Sequence, residues 1–142
     1  MLLIQFTVAT AMVLLTVVVH GLGLFSLSHL LRGEAAVERL KRINALSARG
    51  GAFTLLIVLA MFALHGIEIW AFALIYWATG AVPSFESALY FSTISYSTVG
   101  YNDTHILTEW RLVGAFESIL GVFLLGWSTA FFFRMLGRIE AH

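Results

Sequence analysis

The sequence predicts an all-α membrane protein with three transmembrane helices per subunit and a half-length helix that re-enters the membrane. Three observations carry that class. Sixty per cent of the 142 residues are hydrophobic and 11% are charged, more apolar surface than a domain of this length can bury in its own core. Stretches 2–31, 51–79 and 112–133 are each long enough to cross ~30 Å of hydrocarbon, which takes about 20 residues at helical rise. Between the second and third lies a connection of about 30 residues, too long for a simple turn and too apolar at its start for a solvated loop.

The first stretch, LLIQFTVATAMVLLTVVVHGLGLFSLSHLL, carries no Asp, Glu, Lys or Arg. It lacks the basic start and short apolar centre of a cleavable signal peptide, so it reads as a retained helix. Gly21 and Gly23 suit it to close packing on another helix. It reads either as a peripheral brace or as a gating element acting through the basic connection that follows. His20 and His29 on this helix, and His105 further along, read as structural or solvated.

Residues 32–50 form a basic linker with Arg32, Arg39, Lys41, Arg42 and Arg49, and Arg134 and Arg138 lie beyond the last span. Lys and Arg accumulate on the cytoplasmic side of a membrane, which puts the C-terminus in the cytoplasm and the N-terminus and residues 80–110 outside. The expected location is the plasma or bacterial inner membrane. Glu34, Glu38, Arg39, Lys41 and Arg42 suit an interfacial amphipathic helix.

After the second span, VPSFESALYFSTISYS reads as a short helix. Pro83 is expected to stop the preceding span, Ser84 to cap the new helix, and Glu86 to favour its positive end. A length of about 11 to 13 residues is half a bilayer, the dimension of a re-entrant element. The residues that follow, STVGYND, are not helical in pattern. Non-helical backbone at membrane depth is tolerated only where it is buried in protein or lines a watery path. A re-entrant half-helix followed by an extended run therefore implies a pore, in which a row of carbonyls replaces the water shell of a cation. The six Ser and Thr residues between positions 92 and 106 read as part of the same need to face ions in place of lipid.

TVGYND resembles the TVGYGD signature of potassium-channel selectivity filters. ALYFSTISYSTVGY is similar to the family's pore helix, and EWRLVGAFESILGVFLLG to the start of its inner helix; the likeness covers about residues 51–133. The chain thus resembles the potassium-channel pore-domain family, tetrameric cation channels of two helices and a P-loop, with an added N-terminal transmembrane helix. The resemblance implies a division into an N-terminal transmembrane helix (1–31), a cytoplasmic linker (32–50) and a pore domain (51–142). It implies that Thr98, Val99, Gly100 and Tyr101 hold K⁺ through their oxygens. Asp103 would brace the filter through the aromatic cuff positions, here Tyr90 and Phe91, and Gly121 would stand at the hinge. Ile94 occupies the place of a buried glutamate in some bacterial relatives, so that brace is absent. Asn102 stands where the family has its second filter glycine. The position needs a positive φ, which Asn adopts at a cost of about 1 kcal/mol.

The implied function is passive, K⁺-selective conduction through a carbonyl-lined filter, with K⁺ as the only filter ligand and no organic cofactor. The alternatives are a weakly selective Na⁺/K⁺ channel, because of Asn102, or a non-conducting membrane interaction subunit. One chain carries one filter segment and a ring needs about four, so a homotetramer is expected. Besides the bilayer, an unidentified regulatory partner fits. A net charge of zero gives nucleic acid no footing. No nucleophile, acid–base pair or phosphate motif points to an enzyme, and no helix carries the Arg repeat of a voltage sensor.

Within the spans, His65 and Glu68 share a helix face at i, i+3, and Glu117 is expected to approach them if the second and third spans pack as in the family. Three readings stay open: a polar cluster that fixes packing, a protonation sensor, or metal binding by His65 and Glu68. Phe131 to Met135 reads as an interfacial anchor or a hydrophobic gate. Gly114, Gly121 and Gly126 read as close-packing residues, with the hinge as the alternative at Gly121.

Overall fold

The computed structural model describes residues 2–31, 47–100 and 106–140, except for the side chains of 138–140. The chain forms α1 (Leu2–Leu30), α2 (Ala48–Ala78), α3 (Phe85–Tyr96), a 3-10 turn (Thr108–Trp110) and α4 (Arg111–Glu140). Three helical stretches, Leu2–Leu30, Ala48–Ala78 and Thr108–Gly137, are long and apolar enough to cross a membrane. This is the all-α class the sequence predicts.

The element ends differ from expectation in instructive ways. α2 starts at Ala48, three residues earlier than position 51, because the Ser47 hydroxyl accepts the Gly50 N–H at 3.1 Å and caps the first turn. It ends at Ala78, and Pro83 is not what stops it. Gly80 takes φ +70°, its N–H bonds the Trp77 carbonyl, and the Ala81 N–H reaches back to Tyr76 at 2.9 Å. That paired closure satisfies the last carbonyls and needs a residue free to enter the left-handed region. α4 runs beyond position 133 to Glu140, since Arg134, Met135 and Leu136 favour helix even as the apolar run thins out.

α1 runs parallel to α4. Gln5 Oε1 accepts the Leu112 N–H at 3.3 Å, near one end, and His20 meets Ser128 further along; Phe6 and Phe116 pack edge to face between them. α2 runs the other way, pairing its Glu68 with His20. Bilayers supply no hydrophobic drive between helices, so close packing and interhelical hydrogen bonds must hold them together. Both are present: a Cβ on Gly23 would sit 2.6 Å from a Leu64 methyl, and one on Gly21 would touch Trp127.

α3 lies in the wedge between α2 and α4. Its apolar face, Ala88, Phe91 and Tyr96, joins Phe72, Ala73 and Tyr76 of α2 and Val113, Leu120 and Leu124 of α4 in one buried cluster. Phe91 meets the Tyr76 ring edge-on at 5.2 Å. The segment entering α3 and the one leaving for α4 are tied by the Leu107 N–H to the Ala81 carbonyl, 3.0 Å. Twelve residues of α3 span about 18 Å. Tyr96 therefore ends beside Gly121 and Glu68, each ten residues from the near end of its helix, or about 15 Å down.

Candidate ion pathway and the polar network behind it

Ser84 caps α3 by accepting the Ser87 N–H at 3.1 Å, with Glu86 in the first turn. The helix closes at Ser97, whose N–H bonds the Thr93 carbonyl. Thr98 then takes φ 56°; among the described residues it is the one non-glycine in the left-handed region, at a cost of about 1–2 kcal/mol. That turn redirects the chain out of the helix at mid-depth. Val99 is 82% exposed, and a Cβ on Gly100 would meet nothing within 4 Å. Tyr101, Asn102, Asp103 and His105 lie outside the described residues, as does the linker at 32–46.

The two expected cuff residues diverge. Phe91 is buried against Tyr76, whereas Tyr90, one position earlier on α3, is 65% exposed. Gly121 faces the main-chain carbonyl of Tyr96, which an added Cβ would overlap. At this position the helix backbones approach directly, and α4 continues without a break.

The hydroxyls of Ser92, Thr93 and Ser97 require a correction, because they bond the protein and do not face an ion path. Thr93 Oγ1 and Ser97 Oγ return to carbonyls one turn earlier at 2.7 Å. Ser92 Oγ donates to Glu117 Oε1, with the Ile69 carbonyl as a second acceptor 2.9 Å away. Ser95 is buried, and its hydroxyl has no partner among the described residues.

Behind α3 lie two polar networks. In one, Glu117 is fully buried and accepts from Ser92 and from the Tyr76 hydroxyl at 2.7 Å. In the other, Glu68 is 1% exposed. Its Oε1 accepts from His20 Nδ1 at 2.8 Å, and its Oε2 accepts from the Tyr96 hydroxyl and lies 3.3 Å from His65 Nδ1. His65 Nδ1 donates to Tyr96 Oη at 2.8 Å. The structure thus brings His65 and Glu68 together and sets Glu117 in a neighbouring network. The reason is longitudinal: Gly121 and Glu68 both lie beside Tyr96, and Glu117 is one turn of α4, about 6 Å, away from Gly121. Ser92 and Tyr96, one turn apart on α3, each reach one carboxylate. A buried carboxylate in a bilayer is tolerable only with such partners.

His20, which the sequence reads as structural or solvated, is structural: it ties α1 into the Glu68 network. It is fully buried, and its Nε2 lies 3.3 Å from Ser128 Oγ. The signal for a partner is its place: an ionisable side chain within an uncharged span faces the protein interior and pairs there. Its partner stands 48 positions away, beyond the reach of local spacing.

A half-length helix wedged between two spanning helices, releasing a non-helical run at mid-depth, defines the protomer of an ion-channel pore. A family model described as "ion channel" matches residues 61–138, over half the chain. The protein belongs to this two-transmembrane, potassium-channel-like ion-channel family and is an integral membrane protein. No curated protein and no solved structure matches it significantly.

Proposed function

We propose that four copies of this chain surround an axis and conduct K⁺ passively, with Thr98, Val99, Gly100 and Tyr101 lending their oxygens to the ion. One observation carries the reading: α3 ends at mid-depth, and Thr98 turns the chain out of the helix there, with Thr98, Val99 and Gly100 on the exposed side of the protomer. Carbonyls released at that depth have neither a helix nor lipid to bond, and a desolvated cation satisfies them. Asn102 and Asp103 complete the mouth. Conduction involves no catalytic step. The N-terminus lies outside and the C-terminus in the cytoplasm, a reading supported by the basic residues at 32–49 and 134–138 and by the parallel course of α1 and α4.

Purified protein in planar bilayers, with opposed K⁺ and Na⁺ gradients, tests this reading. The reversal potential is expected to follow K⁺. A potential midway between the two ions would overturn K⁺ selectivity and favour the weakly selective channel, and Asn102→Gly would then shift it back toward K⁺. Absence of flux from liposomes holding this chain alone would overturn conduction itself.

A further inference from the structure

We propose that His20, His65 and Glu68 bind a borderline divalent transition-metal ion of the Zn²⁺ type, joining α1 to α2 beside the end of α3. Geometry is the first ground. One ligand atom from each residue lies within 4.8 Å of the other two, with His20 Nδ1 at 2.8 Å and His65 Nδ1 at 3.3 Å from the Glu68 oxygens. Around a tetrahedral ion with metal–donor bonds of about 2.0–2.1 Å, neighbouring donors stand roughly 3.3 Å apart. The His20–Glu68 and His65–Glu68 spacings are close to that value.

The donor set narrows the ion. Two imidazoles and one carboxylate form a three-ligand zinc site with a fourth position open, here toward Tyr96 Oη. Calcium and magnesium prefer all-oxygen shells. Thiolate-seeking ions find no thiolate, because the chain has no cysteine.

A second shell is already built. A histidine that ligates through Nδ1 must carry its proton on Nε2 and give it to an acceptor, which fixes the tautomer. Ser128 Oγ, 3.3 Å from His20 Nε2, stands in reach to accept it once an ion displaces the Nδ1 proton that otherwise bonds Glu68. Charge points the same way: among the described residues, no Lys or Arg pairs with Glu68, and a bound cation compensates a buried carboxylate. His65, with 12% of its side chain exposed against none for His20 and Glu68, marks the side from which an ion arrives.

The test uses the full chain, purified in detergent, stripped with a chelator and titrated with Co²⁺ as a spectroscopic probe. The expected result is one Co²⁺ per chain with the intense visible bands of tetrahedral coordination, displaced by one equivalent of Zn²⁺. His20→Gln, which keeps a donor for Glu68, should abolish the bands. Ser128→Ala should weaken binding by about 10- to 100-fold, and His29→Ala should leave it unchanged. Wild-type protein without tetrahedral bands, or bands that survive in His20→Gln, would overturn the site. Binding is read without conduction, so the site stands or falls separately from the channel reading.

Discussion

Gly121 and Tyr96 meet main chain to main chain, and nothing larger than hydrogen fits between them. Overpacking against backbone cannot be relieved by turning a side chain, so Gly121→Ala must push α3 and the run it carries. The expected cost is about 1–3 kcal/mol per subunit, read as a lower melting temperature in detergent. Gly66→Ala is the contrast. Its Cβ would meet nothing within 4 Å, and alanine favours helix by about 1 kcal/mol, so its melting temperature should hold or rise. At this scale the sequence was legible where neighbours are local. The His65–Glu68 pair and the Ser84 cap follow from spacing. The ion-facing reading of the Ser92, Thr93 and Ser97 hydroxyls did not hold, because polarity alone does not tell which way a hydroxyl turns on a helix.

Among the elements, α1 shows the widest gap between pattern and structure. Its uniform apolar sequence announces a span but gives no preferred face, so it reads as a peripheral brace, with a gating element as the alternative. In the structure α1 supplies Gln5 to the first turn of α4 and His20 to the buried carboxylate of Glu68. Removing one partner of a buried charge costs about 3–5 kcal/mol. A chain lacking residues 1–31 is therefore expected to lose its monodisperse elution in detergent. A truncated chain that eluted and melted like the full one would reduce α1 to a peripheral brace. α3 was easier to read, since its cap, length and apolar face are all encoded within a dozen residues.

For the whole molecule, one protomer offers one TVGY run, and the exposed Val99 and Tyr90 have no covering surface among the described residues. A ring of carbonyls around an ion needs about four such runs, and cyclic symmetry is the economical way to supply them. Native mass spectrometry from detergent should give four chains per particle; a monomer or dimer would leave the proposed filter incomplete. Composition, span lengths and the TVGYND run determined by themselves that this chain is a membrane protein with a re-entrant pore element. Those properties are local, set by hydropathy, helical rise and the few residues that suit an extended carbonyl run. Tertiary structure alone decided that α1 packs along α4 and pairs with α2, that Glu68 and Glu117 stand in neighbouring networks, and that His20 completes one of them. These pairings join residues dozens of positions apart, and helix packing, which no local period encodes, sets which faces meet.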